Sequence, residues 1–316
     1  VQSRHLLLSF DFEGAYGMPY DAPYDIVPAA HRILDRLSAF GASAVFFVVG
    51  RLAERYPELI REISQAGHEI GLHGYDHDDL ASYDAERLGH LDRNMARVEA
   101  LIGDITGALP IGFRAPYLLG PHFYRREVYD ILAAHGYRWV SNREIRYPVE
   151  LLRPDRVPLP RSWRQIPPAA SARVTQSRLT LAFLNAGLVA RETFAGSALG
   201  RLRWLLAGCP PFLRDGLAEI PLYAPLDCDL LGLPAPQQDT APYLLSYARS
   251  ALRDAVSRPA AAAMVTFHDW IIAGGNRLVL LDDVLKASGE SGLNVSTIAG
   301  SPDWLTQLTA GSAMTG

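Results

Sequence analysis

The chain has 316 residues, 49% of them hydrophobic and 20% charged, and a formal net charge of −4. That length can bury a sizeable core as one large α/β domain or two small ones, with no disulfide or metal needed merely to fold. The mild negative charge argues against a nucleic-acid partner, two cysteines exclude a disulfide scaffold, and no apolar run reaches the ~18 residues of a membrane-spanning helix.

The first residues lack the basic start and apolar stretch of a signal peptide. The expectation is therefore a cytoplasmic protein, with a secreted mature form left open. Cys209 and Cys228 have no metal-type spacing; one bridge and two reduced thiols both stay open.

Residues 5–11, a leucine run ending in Asp11, read as a buried strand. Ile26 to Phe40 carries apolar residues at helical spacing and is stopped by Gly41. A strand is expected over Ala44–Val49, one helix over Arg51–Ala66 closed by Gly67, and a short strand over Glu69–His73. A periodic helix follows over Ala85–Ile102, then a strand at Ile111–Arg114, a helix at Tyr124–His135 and a strand at Tyr137–Ser141. The pattern resumes with a strand at Ala261–Phe267, a helix at Leu278–Ala287 and a strand at Leu293–Ile298. Alternating strands and helices at this spacing mean βαβ units and a parallel sheet. The candidate polar residues lie at the C-terminal strand ends, where barrels and open parallel sheets place their sites.

The stretch from about 143 to 259 is less regular and rich in proline, with an apolar run from Leu179 to Leu206. Its plain reading is an elaborated set of connections with a helical excursion. Its sharper reading is a lid or a surface for a lipid-linked substrate. The whole, residues 1–316, reads as one domain.

Asp11 and Glu13 are two apart, so in a strand both face one side while Phe12 packs behind. His73 and His77 are four apart, a spacing that suits a borderline ion such as Zn²⁺; the plain alternative is two satisfied surface histidines with Asp76 as a cap. Two imidazoles and the Glu13 carboxylate leave coordination positions open, as catalytic sites require. Arg114 opens the run Arg-Ala-Pro-Tyr117 and can pair with a carboxylate at the next strand end, unless it is only a surface ion pair. His268 ends a buried strand and is a candidate proton donor.

These motifs, in this order, resemble the NodB-type polysaccharide deacetylases, carbohydrate esterase family 4. Ser9-Phe10-Asp11-Phe12-Glu13 stands where that family has Thr-Phe-Asp-Asp. His73 to His77 stands where it has His-(Ser/Thr)-x-x-His, Arg114 to Tyr117 where it has Arg-x-Pro-Tyr, and Thr266 to His268 where a strand ends in Leu-x-His. The acid one place beyond the usual second aspartate marks an outlying branch with an Asp-x-Glu motif.

The resemblance implies a distorted (β/α) barrel of about seven parallel strands with an elaborated middle region. It implies a divalent metal ion, Zn²⁺ first, with Co²⁺ or another ion as alternatives. Glu13, His73 and His77 would be its ligands. Asp11 would be the general base, Arg114 its partner, the backbone N–H of Tyr117 an oxyanion donor, and His268 the acid that protonates the leaving amine from the opposite side. The implied reaction is N-deacetylation of an amino sugar in a small glycoside, a lipid-linked sugar or a polysaccharide. Hydrolysis of a non-sugar amide or ureide, and an inactive sugar-binding relative, are the alternatives. Trp139 or Trp163 is expected to wall the acyl methyl. No aspartate can be assigned to tune His268. Asp227 and Asp229 read as loop acids, and Glu219 carries no catalytic role.

Overall fold

The computed structural model describes residues 5–14, 24–117, 123–146, 211–224, 226–227, 239–240, 242–257 and 262–299. The apolar run 179–206, Cys209, Cys228, Trp163 and Asp229 lie outside them.

Three strands begin the parallel sheet: β1 (His5–Phe12), β2 (Val45–Val48) and β3 (Glu69–Leu72). Helix α1 (Ile26–Ala39) connects the first two. The single helix expected next is two, α2 (Gly50–Arg55) and α3 (Pro57–Gln65). Pro57 has no N–H to donate back and disfavours helical geometry at Tyr56, so the first helix ends there and the second starts on the proline. Helix α4 (Ala85–Thr106) runs about one turn past its expected end and stops at Gly107, which takes the left-handed conformation. Then come β4 (Gly112–Phe113), α5 (Arg126–Ala134), β5 (Trp139–Val140) and β6 (Glu144–Arg146). The later part supplies β7 (Phe212–Arg214), β8 (Leu217–Glu219), β9 (Leu222–Ala224), α6 (Pro242–Ser257), β10 (Ala262–His268), α7 (Asp269–Ile272), α8 (Leu278–Glu290) and β11 (Asn294–Val295).

The strand order is β6-β9-β10-β1-β2-β3-β4-β5-β8-β7, with β11 also on β1. Every pairing is parallel except β7 with β8. Two strands are broken in the same place. β5 continues after three residues as β6, and β8 continues after two as β9. The first halves pair with each other, the second halves pair with each other, and β9 also meets β10 at Met264. Counting each broken strand once, the ring is β1, β2, β3, β4, β5/β6, β8/β9 and β10, which matches the expected distorted barrel.

The alternation along β1 separates two cores. Leu6, Leu8, Phe10 and Phe12 pack outward under the helices, where Phe10 stacks on Phe46 with ring centroids 4.9 Å apart. Leu7 points inward with Val45, Phe47, Trp139, Leu222 and Met264. With a period of two, Ser9, Asp11 and Glu13 follow Leu7 onto the inner side. That side is apolar low in the barrel and polar at its C-terminal mouth.

Trp139 is buried inside the barrel, edge-on to Phe47 at 5.4 Å, and its indole donates to Glu69 at 3.2 Å. It is barrel filling and not the acyl wall expected of it. A large indole fits because Gly112 lies opposite: a Cβ on Gly112 would sit 2.3 Å from the Trp139 ring. Gly112→Ala is expected to destabilise the fold by about 1–3 kcal/mol through overpacking, read as a fall in the urea midpoint. A midpoint unchanged within error would show that the indole has room to move.

Candidate active site

Asp11, Glu13, His73, His77, Arg114 and His268 all come together at the C-terminal mouth of the barrel. Asp11 is the last lumen-facing residue of β1, and Glu13 follows just past it. His73 follows β3, Arg114 follows β4 and His268 ends β10. His77 sits in a loop beyond the end of β3 and holds a left-handed backbone with φ 57°. Asp76, the alternative cap, instead pairs with Arg51.

Arg114 is wholly buried. Its Nη1 donates to Asp11 Oδ1 at 2.5 Å. Its Nη2 donates to Ser9 Oγ at 3.2 Å and Ser141 Oγ at 3.0 Å, and its Nε donates to the Ser141 carbonyl at 3.2 Å. The guanidinium lies over the Phe47 ring, 4.2 Å from its centroid. It is therefore no surface ion pair.

Glu13, His73 and His77 converge, each offering one ligand atom, with those atoms within 4.8 Å of one another. His77 Nε2 is 2.5 Å and His73 Nε2 3.7 Å from Glu13 Oε2. The Nδ1 of His73 lies 2.9 Å from the Arg114 carbonyl. A carbonyl can only accept, so the proton is on Nδ1 and the Nε2 lone pair faces the cluster. Burial pushes the Glu13 carboxyl up, but the neighbouring imidazoles of His73, His77 and His268 hold it well below the usual carboxylate range. Two neutral nitrogens and one carboxylate oxygen, buried and convergent, fit a divalent ion with open coordination positions.

His268 answers the missing-aspartate expectation. Asp227, fully buried, accepts from His268 Nδ1 at 2.6 Å and from the His268 backbone N–H at 2.8 Å. Burial alone would push the imidazolium down, but the charge and hydrogen bond of Asp227 raise it to about 10, helped by Glu13 and Asp11. Asp227 stands 41 residues before its partner; only the pairing of β9 with β10 brings it there, and no spacing in the sequence signals it. β1 and β10 pair with Asp11 opposite His268, so His268 Nε2 lies 3.9 Å from Asp11 Oδ2.

Two further neighbours escaped the sequence reading. Trp270 Nε1 donates to Glu13 Oε1 at 2.7 Å. Asp269 accepts from the backbone N–H groups of Glu13 and Gly14 and from the Tyr24 hydroxyl. Their one signal is adjacency to His268. Tyr117 sits at the mouth with φ 48°, its ring edge-on to His77 at 4.5 Å and about half exposed. Glu219 is buried at the end of β8, where it accepts from the Tyr129 hydroxyl and the Asn142 N–H, both at 2.8 Å. Asn142 in turn accepts from Ala115 N–H at 2.8 Å, so this network steadies the loop that carries Arg114 and Tyr117.

A parallel barrel thus carries a Glu/His₂ cluster at its mouth, beside the Asp11–Arg114 and His268–Asp227 pairs. Residues 4–140 match the family model for polysaccharide deacetylase. A peptidoglycan-N-acetylglucosamine deacetylase of Bacillus cereus is 31% identical over 86 residues, 27% of this chain and 30% of that protein. A peptidoglycan deacetylase of Helicobacter pylori is 30% identical over 133 residues, 40% of this chain and 43% of that protein. The chain thus spans less than half the length of these curated relatives. A crystal structure from Mycobacterium smegmatis assigned to the polysaccharide deacetylases superposes with a TM-score of 0.59 at 16% identity, over 97% of this chain and 91% of that one. At that identity the likeness is one of fold.

Arg114→Met is expected to cost about 3–5 kcal/mol of stability, because it strands the buried Asp11 charge. Denaturant unfolding at neutral pH checks this. A loss under about 1 kcal/mol would mean that water enters and solvates Asp11.

Proposed function

We propose that this protein is a metal-dependent deacylase that removes an acetyl group from the amino group of a sugar. The observation that carries the reading is the convergence of Glu13, His73 and His77 beside two differently partnered groups, Asp11 with Arg114 and His268 with Asp227. The family match and the two relatives named for deacetylating peptidoglycan support the substrate class. An N-acetylglucosamine unit in a glycan is the substrate proposed, and Zn²⁺ the ion, with Co²⁺ as a working substitute. No described helix is long and apolar enough to cross a membrane, and a polar glycan needs none.

A divalent ion on Glu13, His73 and His77 would polarise the acetyl carbonyl and acidify the attacking water. Asp11 is the base. Arg114 occupies its Oδ1, which leaves Oδ2 facing the cluster to accept a proton from that water. The backbone N–H of Tyr117 is the proposed second donor to the oxygen as it gains negative charge. His268 is the acid. With Nδ1 bonded to Asp227, it presents Nε2–H at the level of Asp11 and donates that proton to the departing amine nitrogen. An amine leaves poorly unless protonated, so a donor held in its charged form at neutral pH is what the reaction requires.

Asp11→Asn and His268→Ala should each lower deacetylation of N-acetylated chito-oligosaccharides by at least ~10²-fold while leaving Zn²⁺ content unchanged. Amine release and metal analysis are the readouts. Full activity in either variant would sink the mechanism, and activity on ureides alone would replace the substrate.

The pH dependence has a definite sign. His268 works protonated, and its raised pKa keeps it so until the pH passes about 10. In Asp227→Asn the raising charge is gone, so the alkaline limb of kcat should move toward neutrality. An unmoved limb would assign it to another group.

A further inference from the structure

The ladder between β1 and β2 ends with Val49 N–H donating to the Phe12 carbonyl. Glu13 lies beyond it, where the chain must hold a buried side chain in place without a neighbouring strand. Two residues of α7 take over that task. The Oδ1 of Asp269 accepts from Glu13 N–H at 3.0 Å and Gly14 N–H at 3.1 Å. Gly14 supplies the positive φ, 59°, at this turn. The Oδ2 of Asp269 accepts from the Tyr24 hydroxyl, so both flanks of the β1–α1 connection are tied to one carboxylate. Trp270, also buried, donates its indole N–H to Glu13 Oε1 at 2.7 Å.

A carboxylate can meet a metal ion with one oxygen or with two. Here the indole holds Oε1, and Oε2 alone faces His73 and His77. Asp269 itself is no further ligand, because both its oxygens are turned to N–H and O–H donors. We propose that Asp269 and Trp270 are positioning residues that hold Glu13 as a one-oxygen metal ligand and thereby make an acid one place beyond the strand end usable. The proposal rests on reading Glu13, His73 and His77 as the metal site.

Co²⁺ binding to metal-stripped protein, followed by competition titration and by the visible spectrum of the bound ion, tests it. Trp270→Phe and Asp269→Ala should each weaken Co²⁺ about 10–100-fold and alter the spectrum, as loss of a ligand's supporting hydrogen bond does. Asp269→Asn keeps an oxygen for the two backbone N–H groups and should restore affinity to within about threefold of the parent protein. A Trp270→Phe protein that melts like the parent, binds Co²⁺ within about twofold of it and shows the same spectrum would overturn the proposal. If Asp269→Ala does not fold, Trp270→Phe decides alone. Glu13→Ala separates the two readings. If it weakens Co²⁺ strongly while Trp270→Phe does not, only the positioning role falls. If Glu13→Ala also leaves Co²⁺ binding intact, the metal site lies elsewhere and both readings fall.

Discussion

The buried ion pair between Arg114 and Asp11 is the constraint on which the mouth of this barrel depends. A guanidinium removed from water costs several kcal/mol unless its N–H groups are met. Here they are met from several strands at once: Asp11 and Ser9 from β1, and Ser141 just past β5, with the Phe47 ring of β2 beneath. Its own carbonyl then accepts from His73. One residue therefore ties Asp11 through its side chain and His73 through its carbonyl, and sets the relative height of four strands. Its stabilisation is not the point, since an apolar core can be as stable. What it contributes is a single arrangement, because any shift of β4 against β1 would leave a buried charge unmet.

That arrangement is possible because β1 has two faces of different character. Its even-numbered residues are all apolar and sit under the helices. Its odd-numbered residues change from Leu7 through Ser9 to Asp11 along the lumen, and Thr266 of β10 answers Ser9 at 2.8 Å. The barrel interior thus grades from a dry floor filled by Trp139 to a polar mouth. Apolar packing below lowers the local dielectric, which strengthens each electrostatic contact above it.

Features that local chemistry dictates were legible in the sequence. The leucine run of β1, the strand-end position of Asp11 and His268, and the His73/His77 spacing all follow from period and residue type. What the sequence hid depends on contacts distant along the chain. Pro57 splits a helix that periodicity alone joins. The breaks that turn two strands into β5/β6 and β8/β9 have no hydrophobic signature, since Glu219-Ile-Pro-Leu reads as one run. Asp227 looked like a loop acid because its meaning comes from β9 lying beside β10. Trp139 is a candidate wall only through the family resemblance; its place in the apolar barrel interior depends on strands distant in sequence. Gly112 leaves the room that the indole fills.

Register makes the final connection between fold and chemistry. Parallel pairing sets Asp11 opposite His268, and each receives a partner of opposite charge from elsewhere in the barrel. Arg114 comes from β4 and Asp227 from beyond β9. The two strand-end groups would otherwise meet each other, since 3.9 Å separates them. Without their outer partners, Asp11 and His268 would be drawn into a single direct contact. Arg114 draws Asp11 by its Oδ1, and Asp227 draws His268 by its Nδ1, so Asp11 Oδ2 and His268 Nε2 remain 3.9 Å apart at the barrel mouth. The two outer ion pairs are thus what hold Asp11 and His268 side by side in this arrangement.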